Sequence, residues 1–317
     1  MTSEATSRRT PEPTTPVALG LAAEPVKAGP GAPAAAHVRA KLDHELRELL
    51  AREPGTRAGA DPEDLHQMRV AQRRMRSVLK TSGGLVGPAA EPVRADLGWL
   101  GQALGEVRDY DVLIGHLREV VAEFDVRDQP AGRRLVSRFV AERSTARRRL
   151  NRALSSPRYA MLLQSIAQLA RPADHEVEAP PADRRGPADL RKPYRKLARA
   201  VAALPPNPPD DALHALRIHG KKLRYTAELA RSGASKKRAA KLQELIKATR
   251  KFQTVLGDHQ DAVFAAEKVR HVLPEADAEM GFVAGRIVEH ELAKRARARA
   301  IWLDVWHRIE KAEHAVG

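Results

Sequence analysis

The sequence predicts an all-α fold, and three observations carry that reading. Apolar residues return at the three- and four-residue spacing of a helix in segment after segment. No stretch sustains the period-two alternation of β-branched residues that a half-buried strand needs. Proline, glycine and one Asp-Pro pair cut the chain into helix-length pieces. In chain order, residues 1–33 are rich in Pro, Ala, Thr and Gly and read as a disordered tail. Leu42, Leu46, Leu49 and Leu50 then form one apolar helix face, with Gly55 as its expected stop. A second helix starts at Asp61-Pro62, an N-cap followed by proline at the first helical position, and runs to Thr81 before Gly83-Gly84. A third is expected over Pro92–Leu104, ending at Gly105, and a fourth from Asp109. Arg133–Leu154 is another long helical stretch. A Pro-rich linker at 171–187 separates a first half, residues 34–170, from a second, residues 188–317, which Pro205, Pro206, Pro208 and Pro209 break once more.

Composition narrows the function classes. The chain has 317 residues, 43% of them hydrophobic, enough for a substantial core. It has no cysteine, which excludes disulfides and thiolate metal sites. Aromatics are only 4%, which argues against base-stacking RNA modules. No apolar run approaches the ~20 residues of a membrane helix, and Pro and Glu interrupt any signal-peptide core near the start. The expectation is a soluble, cytoplasmic protein. Its net charge of +15 calls for a polyanionic partner. That charge is not in the tail: residues 1–33 hold three basic and three acidic groups, 34–170 hold 23 and 17, and 188–317 hold 26 and 16.

The second half repeats the first. The run Leu65-His66-Gln67-Met68-Arg69-Val70-Ala71-Gln72-Arg73-Arg74-Met75-Arg76 corresponds to Leu213-His214-Ala215-Leu216-Arg217-Ile218-His219-Gly220-Lys221-Lys222-Leu223-Arg224, with four identities and five conservative pairs. Leu104-Gly105-Glu106 with Asp109 echoes Leu256-Gly257-Asp258 with Asp261, and Phe139–Arg143 echoes Phe282–Arg286. Three echoes in one order imply a tandem duplication of a helical bundle about a pseudo-twofold axis.

On a helix, His66, Arg69, Arg73, Arg76 and Lys80 fall within an arc of roughly 80°, beside the core-facing arc of Leu65, Met68, Gln72, Met75 and Leu79. His214, Arg217, Lys221 and Arg224 form the same ridge in the second copy. An ordinary solvated face interleaves acids at i, i+4. Here the first ridge has none and the second only Glu228, at its far end. Like charges at this spacing repel by a few tenths of a kcal/mol per pair, so a compensating partner is expected. A metal at His66 or His214 is disfavoured, because cations surround both and neither has a His-x3-His companion. Each histidine suits a hydrogen bond to phosphate better. Gly105 and Gly257 read as helix ends, with Asp109 and Asp261 as the following caps. These aspartates also have a second reading, as orienters of ridge arginines.

These residues resemble the CHAD domain, the conserved histidine α-helical domain. The resemblance rests on His66-x-x-Arg69-x-x-x-Arg73-Arg74-x-Arg76 with Leu104-Gly105-x-x-Arg108-Asp109-x-Asp111. The second copy has His214-x-x-Arg217-x-x-x-Lys221-Lys222-Leu223-Arg224-Tyr225 with Leu256-Gly257-Asp258-x-x-Asp261. It covers residues 34–315, with Gln260 replacing Arg108 in the second copy. The resemblance implies two tandem four-helix bundles related by a pseudo-twofold axis around a basic central groove or pore. It also implies binding of inorganic polyphosphate and association with polyphosphate granules. A CYTH triphosphatase partner domain is not expected, since Glu176-Val177-Glu178 is followed by Ala179-Pro180 and not by the Lys of its signature. The chain reads as a binding module, not an enzyme, and no cofactor is implied. Weak, salt-sensitive nucleic-acid binding is the alternative, disfavoured because the ridges lack stacking aromatics. Phosphohydrolysis would need carboxylates to hold Mg²⁺, for which Asp109, Asp111, Asp258 and Asp261 are the available set.

Overall fold

A computed structural model describes residues 14–29, 32–172, 190–232 and 234–316. Among them are nine α-helices and two short 3-10 turns: α1 Ala34–Ala58, α2 Pro62–Ser82, α3 Ala90–Ala122, α4 Gln129–Leu154, α5 Pro157–Ala170, α6 Arg191–Ala202, α7 Asp210–Ser232, α8 Lys236–Val272 and α9 Ala278–Val316. The all-α class is therefore correct. The expected linker at 171–187 lies almost wholly outside the described residues.

The chain forms two compact units. The first holds the described residues of Met1–His116 and Val136–Asp183. The second holds Leu117–Leu135 and the described residues of Arg184–Gly317. The division therefore does not fall only at the linker: the end of α3 and the start of α4 pack with the second unit. Named contacts hold them there. Asp128 pairs with Arg286 of α9, Arg134 reaches Glu279 at 2.8 Å, and the Arg286 guanidinium lies 4.2 Å from the Phe124 ring centroid.

In the first unit, Leu42, Leu46 and Leu49 of α1 are fully buried against Met68 and Met75 of α2 and Ile166 of α5. Aliphatic burial of this kind stabilises by roughly 1.5–3 kcal/mol per side chain. The expected disordered tail is corrected over residues 14–29, which lie against this unit. Leu19 and Leu21 enter its core. The buried Asp43 carboxylate accepts from the Val26 N–H at 2.9 Å, and Arg47 donates to the carbonyls of Ala22 and Ala23. Composition concealed this because two leucines and an arginine clamp suffice to hold the strap.

In the second unit, α7, α8 and α9 pack in sequence, and α6 covers α7. Trp306 is buried between Tyr194, with ring centroids 6.0 Å apart, and Phe252, at 6.4 Å.

Three expected helix ends are corrected. Helix α1 passes through Gly55 and ends at Gly59, whose φ of +66° is the left-handed stop. Gly55 is needed for another reason: a Cβ there would collide with the Asp64 carboxylate of α2. Helix α3 runs unbroken through Gly105 and Asp109, and α8 through Gly257 and Asp261. Neither aspartate caps a helix. The Asp61 cap is correct, and its carboxylate accepts from the Glu63 N–H at 2.8 Å.

Candidate functional site

Helix α2 buries Leu65, Met68, Ala71, Gln72, Met75 and Leu79, one face of a 3.6-residue period. This registers His66 and Arg69 at the edge of the core, half-buried, and leaves Arg73, Arg76 and Lys80 exposed. Beside them runs a bed of glycines on α3. A Cβ on Gly98 would sit 3.5 Å from the Arg76 guanidinium, one on Gly101 2.7 Å from the Gln72 amide, and one on Gly105 3.2 Å from Nη1 of Arg69. The order is antiparallel, 98-101-105 against 76-72-69. Arg69 donates to the Gly101 carbonyl at 3.5 Å, and the buried Gln72 amide donates to the Leu97 carbonyl. The glycines thus let ridge side chains lie flat on the neighbouring helix.

The second unit reproduces the central contact. Arg217, the counterpart of Arg69, lies 3.6 Å from where a Gly257 Cβ would be, and Gly257 is the counterpart of Gly105. One step along, the contact differs: Gly220 stands at the position of Gln72, and its would-be Cβ lies 3.0 Å from the ring of Phe252, the counterpart of Leu100. His214 and Lys221 are half-buried on the same ridge of α7, as is Arg224.

Electrostatically the two ridges differ. Among the described residues, none of Arg69, Arg73, Arg76 and Lys80 has a carboxylate within 4 Å, and neither does Arg217. Arg74, by contrast, reaches the buried Glu45 of α1 at 3.5 Å, on the other side of α2. In α7, Arg224 lies 3.9 Å from Glu228, which also binds Arg250 of α8 at 3.1 Å. Nδ1 of His214 and the Nε atoms of Arg217 and Arg224 are buried without a hydrogen-bond partner. A buried polar group left unmatched costs about 1–3 kcal/mol. His219, facing α6, is held below the usual histidine range by burial, then by Lys196 and Lys222.

Asp111 pairs with Arg143 of α4, Asp109 and Asp261 are exposed, and exposed Asp258 lines a small cleft with Lys294 and Arg297. Among the described residues no three His, Asp or Glu side chains come together as metal ligands. No helix of the described residues is long and apolar enough to cross a membrane. Tyr225, exposed beside the second ridge, carries the Arg224 guanidinium 4.8 Å from its ring centroid, on a face that a stacking base would need.

Taking Gly105 as a helix stop hides the glycine bed, of which Gly98 and Gly101 are the other members. A signal was present: Gly98, Gly101 and Gly105 recur at i, i+3 and i+7, one face of a continuous helix. Arg108, half-buried and without a carboxylate partner among the described residues, was noted only as part of the family pattern.

Comparison with known proteins bears on the family and the fold. The CHAD domain family profile matches residues 40–270. Two uncharacterized proteins from strains of Mycobacterium tuberculosis are 31% identical over 283 residues, which is 84% of this chain and 52% of theirs. The chain thus spans about half the length of these curated relatives. The crystal structure of the CHAD domain from the plant Ricinus communis aligns with a TM-score of 0.67 and 24% identity, covering 91% of this chain and 95% of that one. PptA from Streptomyces chartreusis aligns with a TM-score of 0.60 and 22% identity, covering 87% of this chain and 100% of that one.

Proposed function

This chain belongs to the CHAD domain family, and from that premise we propose that it binds inorganic polyphosphate through the ridges of α2 and α7. His66, Arg69, Arg73, Arg76 and Lys80 form one contact row, and His214, Arg217, Lys221 and Arg224 the other. The observation that carries the reading is the unneutralised ridge of α2, whose key arginine lies over a glycine in an arrangement repeated in α7. A polyphosphate chain offers regularly spaced anionic oxygens and no bases. It needs rows of guanidinium and ammonium groups and nothing else. Arginine forks across phosphate oxygens and lysine adds point charges. The protein acts as a binder, with no catalytic step assigned to it, and its place in the cell is on polyphosphate granules.

The test is competition on the purified protein between labelled polyphosphate and single- or double-stranded DNA at several salt concentrations. Polyphosphate should displace DNA at equal phosphate concentration, and its affinity should fall linearly on a log–log salt plot. DNA displacing polyphosphate would sink the reading. Co-localisation of a fluorescent fusion with granules checks the cellular part.

A further inference from the structure

A separate cleft of about 620 Å³ lies in the second unit, along the seam between α8 and α9. Glu244, Lys247, Ala248 and Lys251 supply one wall from α8. Arg308, Lys311, Ala312 and Ala315 supply the other from α9. Each set occupies i, i+3, i+4 and i+7, one helical face two turns long, or roughly 11 Å. Ala248 and Ala312 rest on the core of the unit, so the floor of the cleft is apolar and shallow-sided. The rim is cationic. Among the described residues, Lys247, Lys251, Arg308 and Lys311 have no carboxylate within 4 Å, and Glu244 is the single acid in the lining. Of the neighbouring acids, Glu310 binds His307 at 2.7 Å, and Glu313 and Glu310 add to burial in pushing up the Tyr194 phenol of α6.

The cleft is distinct from the ridge. At 100° per residue, Ala248 and Gly257 are about 180° apart around α8. The glycine beneath Arg217 therefore faces away from the cleft.

We propose that this cleft is a docking site for an acidic amphipathic helix of a partner protein, seated on the alanine floor with its carboxylates on the four rim cations. Charge complementarity selects the sign of the partner. The floor selects its class: a phosphate chain gains nothing from alanine methyls, whereas a helix buries apolar side chains on them. Small residues at the seam let a third helix approach at the usual interaxial distance of about 8–10 Å. Two turns on each wall match two turns of a guest.

The probe is a labelled helical peptide of glutamate, leucine and alanine, about 18 residues long, titrated against the full chain. A charge-matched control carries glutamine for leucine. The peptide should bind about tenfold more tightly than the control. Lys247→Glu with Lys311→Glu should weaken it by a further tenfold or so while polyphosphate affinity stays within about twofold. Ala312→Trp, which fills the floor without changing charge, should also block the peptide. Lys247 and Lys311 are exposed and Ala312 is half-buried on the floor, and circular dichroism checks folding. Equal binding of the control overturns the proposal, as does peptide affinity unmoved by the double substitution. A loss of polyphosphate binding as large as that of ridge variants would also overturn it, placing the cleft within the phosphate surface. The polyphosphate reading fails separately, on the α2 and α7 ridges.

Discussion

Arg73 and Arg74 are neighbours in sequence with opposite fates. Arg73 is exposed on the ridge with no acidic partner among the described residues, and Arg74 reaches Glu45. Charge-assisted contacts to phosphate contribute about 1.5–3 kcal/mol each before desolvation is counted. Changing Arg69, Arg73 and Arg76 to Glu should therefore lower polyphosphate affinity by two orders of magnitude or more, with helicity by circular dichroism intact. Arg74→Gln should change affinity by less than about threefold. Glutamine is the right replacement there, since a new acid beside buried Glu45 would destabilise the fold instead. Matching losses for Arg73→Gln and Arg74→Gln would show that the ridge is not the contact row. Glu228 gives a prediction of opposite sign. It partly neutralises Arg224, so Glu228→Gln should tighten polyphosphate binding by about two- to fivefold in an anisotropy titration. Weakened binding would mean that Glu228 orients Arg224 productively.

For paired helices, the glycines of α3 separate stability from binding. Glycine inside a helix is disfavoured by about 1 kcal/mol relative to alanine. At Gly105 a Cβ would press on the mobile end of Arg69, 3.2 Å away. Gly105→Ala should therefore raise the melting temperature or leave it unchanged, while weakening polyphosphate binding. At Gly101 the Cβ would meet the buried Gln72 amide at 2.7 Å, and that amide is tied to the Leu97 carbonyl. Gly101→Ala should lower the melting temperature. The reverse order in thermal melts would contradict the glycine-bed geometry.

In the second unit, Asp210 at the start of α7 joins three helices. It accepts from Arg295 and Arg299 of α9 at 2.9 Å and lies 3.1 Å from Nε2 of His259 in α8. Burial, with repulsion from Arg299 and Arg295, holds His259 below its ordinary pKa of 6.5 despite Asp210. The unfolded chain therefore binds a proton at His259 that the folded chain does not. This costs no stability above that value and an increasing amount as pH falls below it. Asp210, held low by Arg295 against its own burial, extends the acid loss below its ordinary 3.8. The melting temperature should fall between about pH 7.5 and 5.5, and His259→Asn should reduce that slope. His219, shifted in the same direction, leaves a residual slope. An unchanged slope in His259→Asn would exclude this histidine as the cause.

Over the whole chain, the proposed pair of contact rows on one polypeptide would make polymer length the governing variable. A polymer held by one ridge presents its remaining length to the other at a raised effective concentration, which multiplies affinity without new kinds of contact. Long polyphosphate should bind at least about a hundredfold more tightly than tripolyphosphate. Removing the α7 ridge, with Arg217→Glu and Arg224→Glu, should erase most of that advantage while leaving tripolyphosphate affinity within a few-fold. Calorimetry with graded lengths reads both. A length dependence that survives the α7 changes would mean that each polymer is held by one ridge alone.

The helical class, the Asp61-Pro62 start, the duplicated ridge and the family were all legible in the sequence. Each rests on local periodicity or on residues repeated at a fixed offset. The stop at Gly59, the continuity of α3 and α8, and the strap of residues 14–29 were not. A glycine in sequence marks either a bend or a close approach, and only the neighbouring helix says which. Gly105 and Gly257 look like stops until Arg69 and Arg217 are seen lying across them. Helical spacing likewise predicted a cationic face on α2. It took the packing of α1 to send Arg74 to Glu45 and leave Arg73 open, because pairing depends on distances between helices that no spacing along one helix contains.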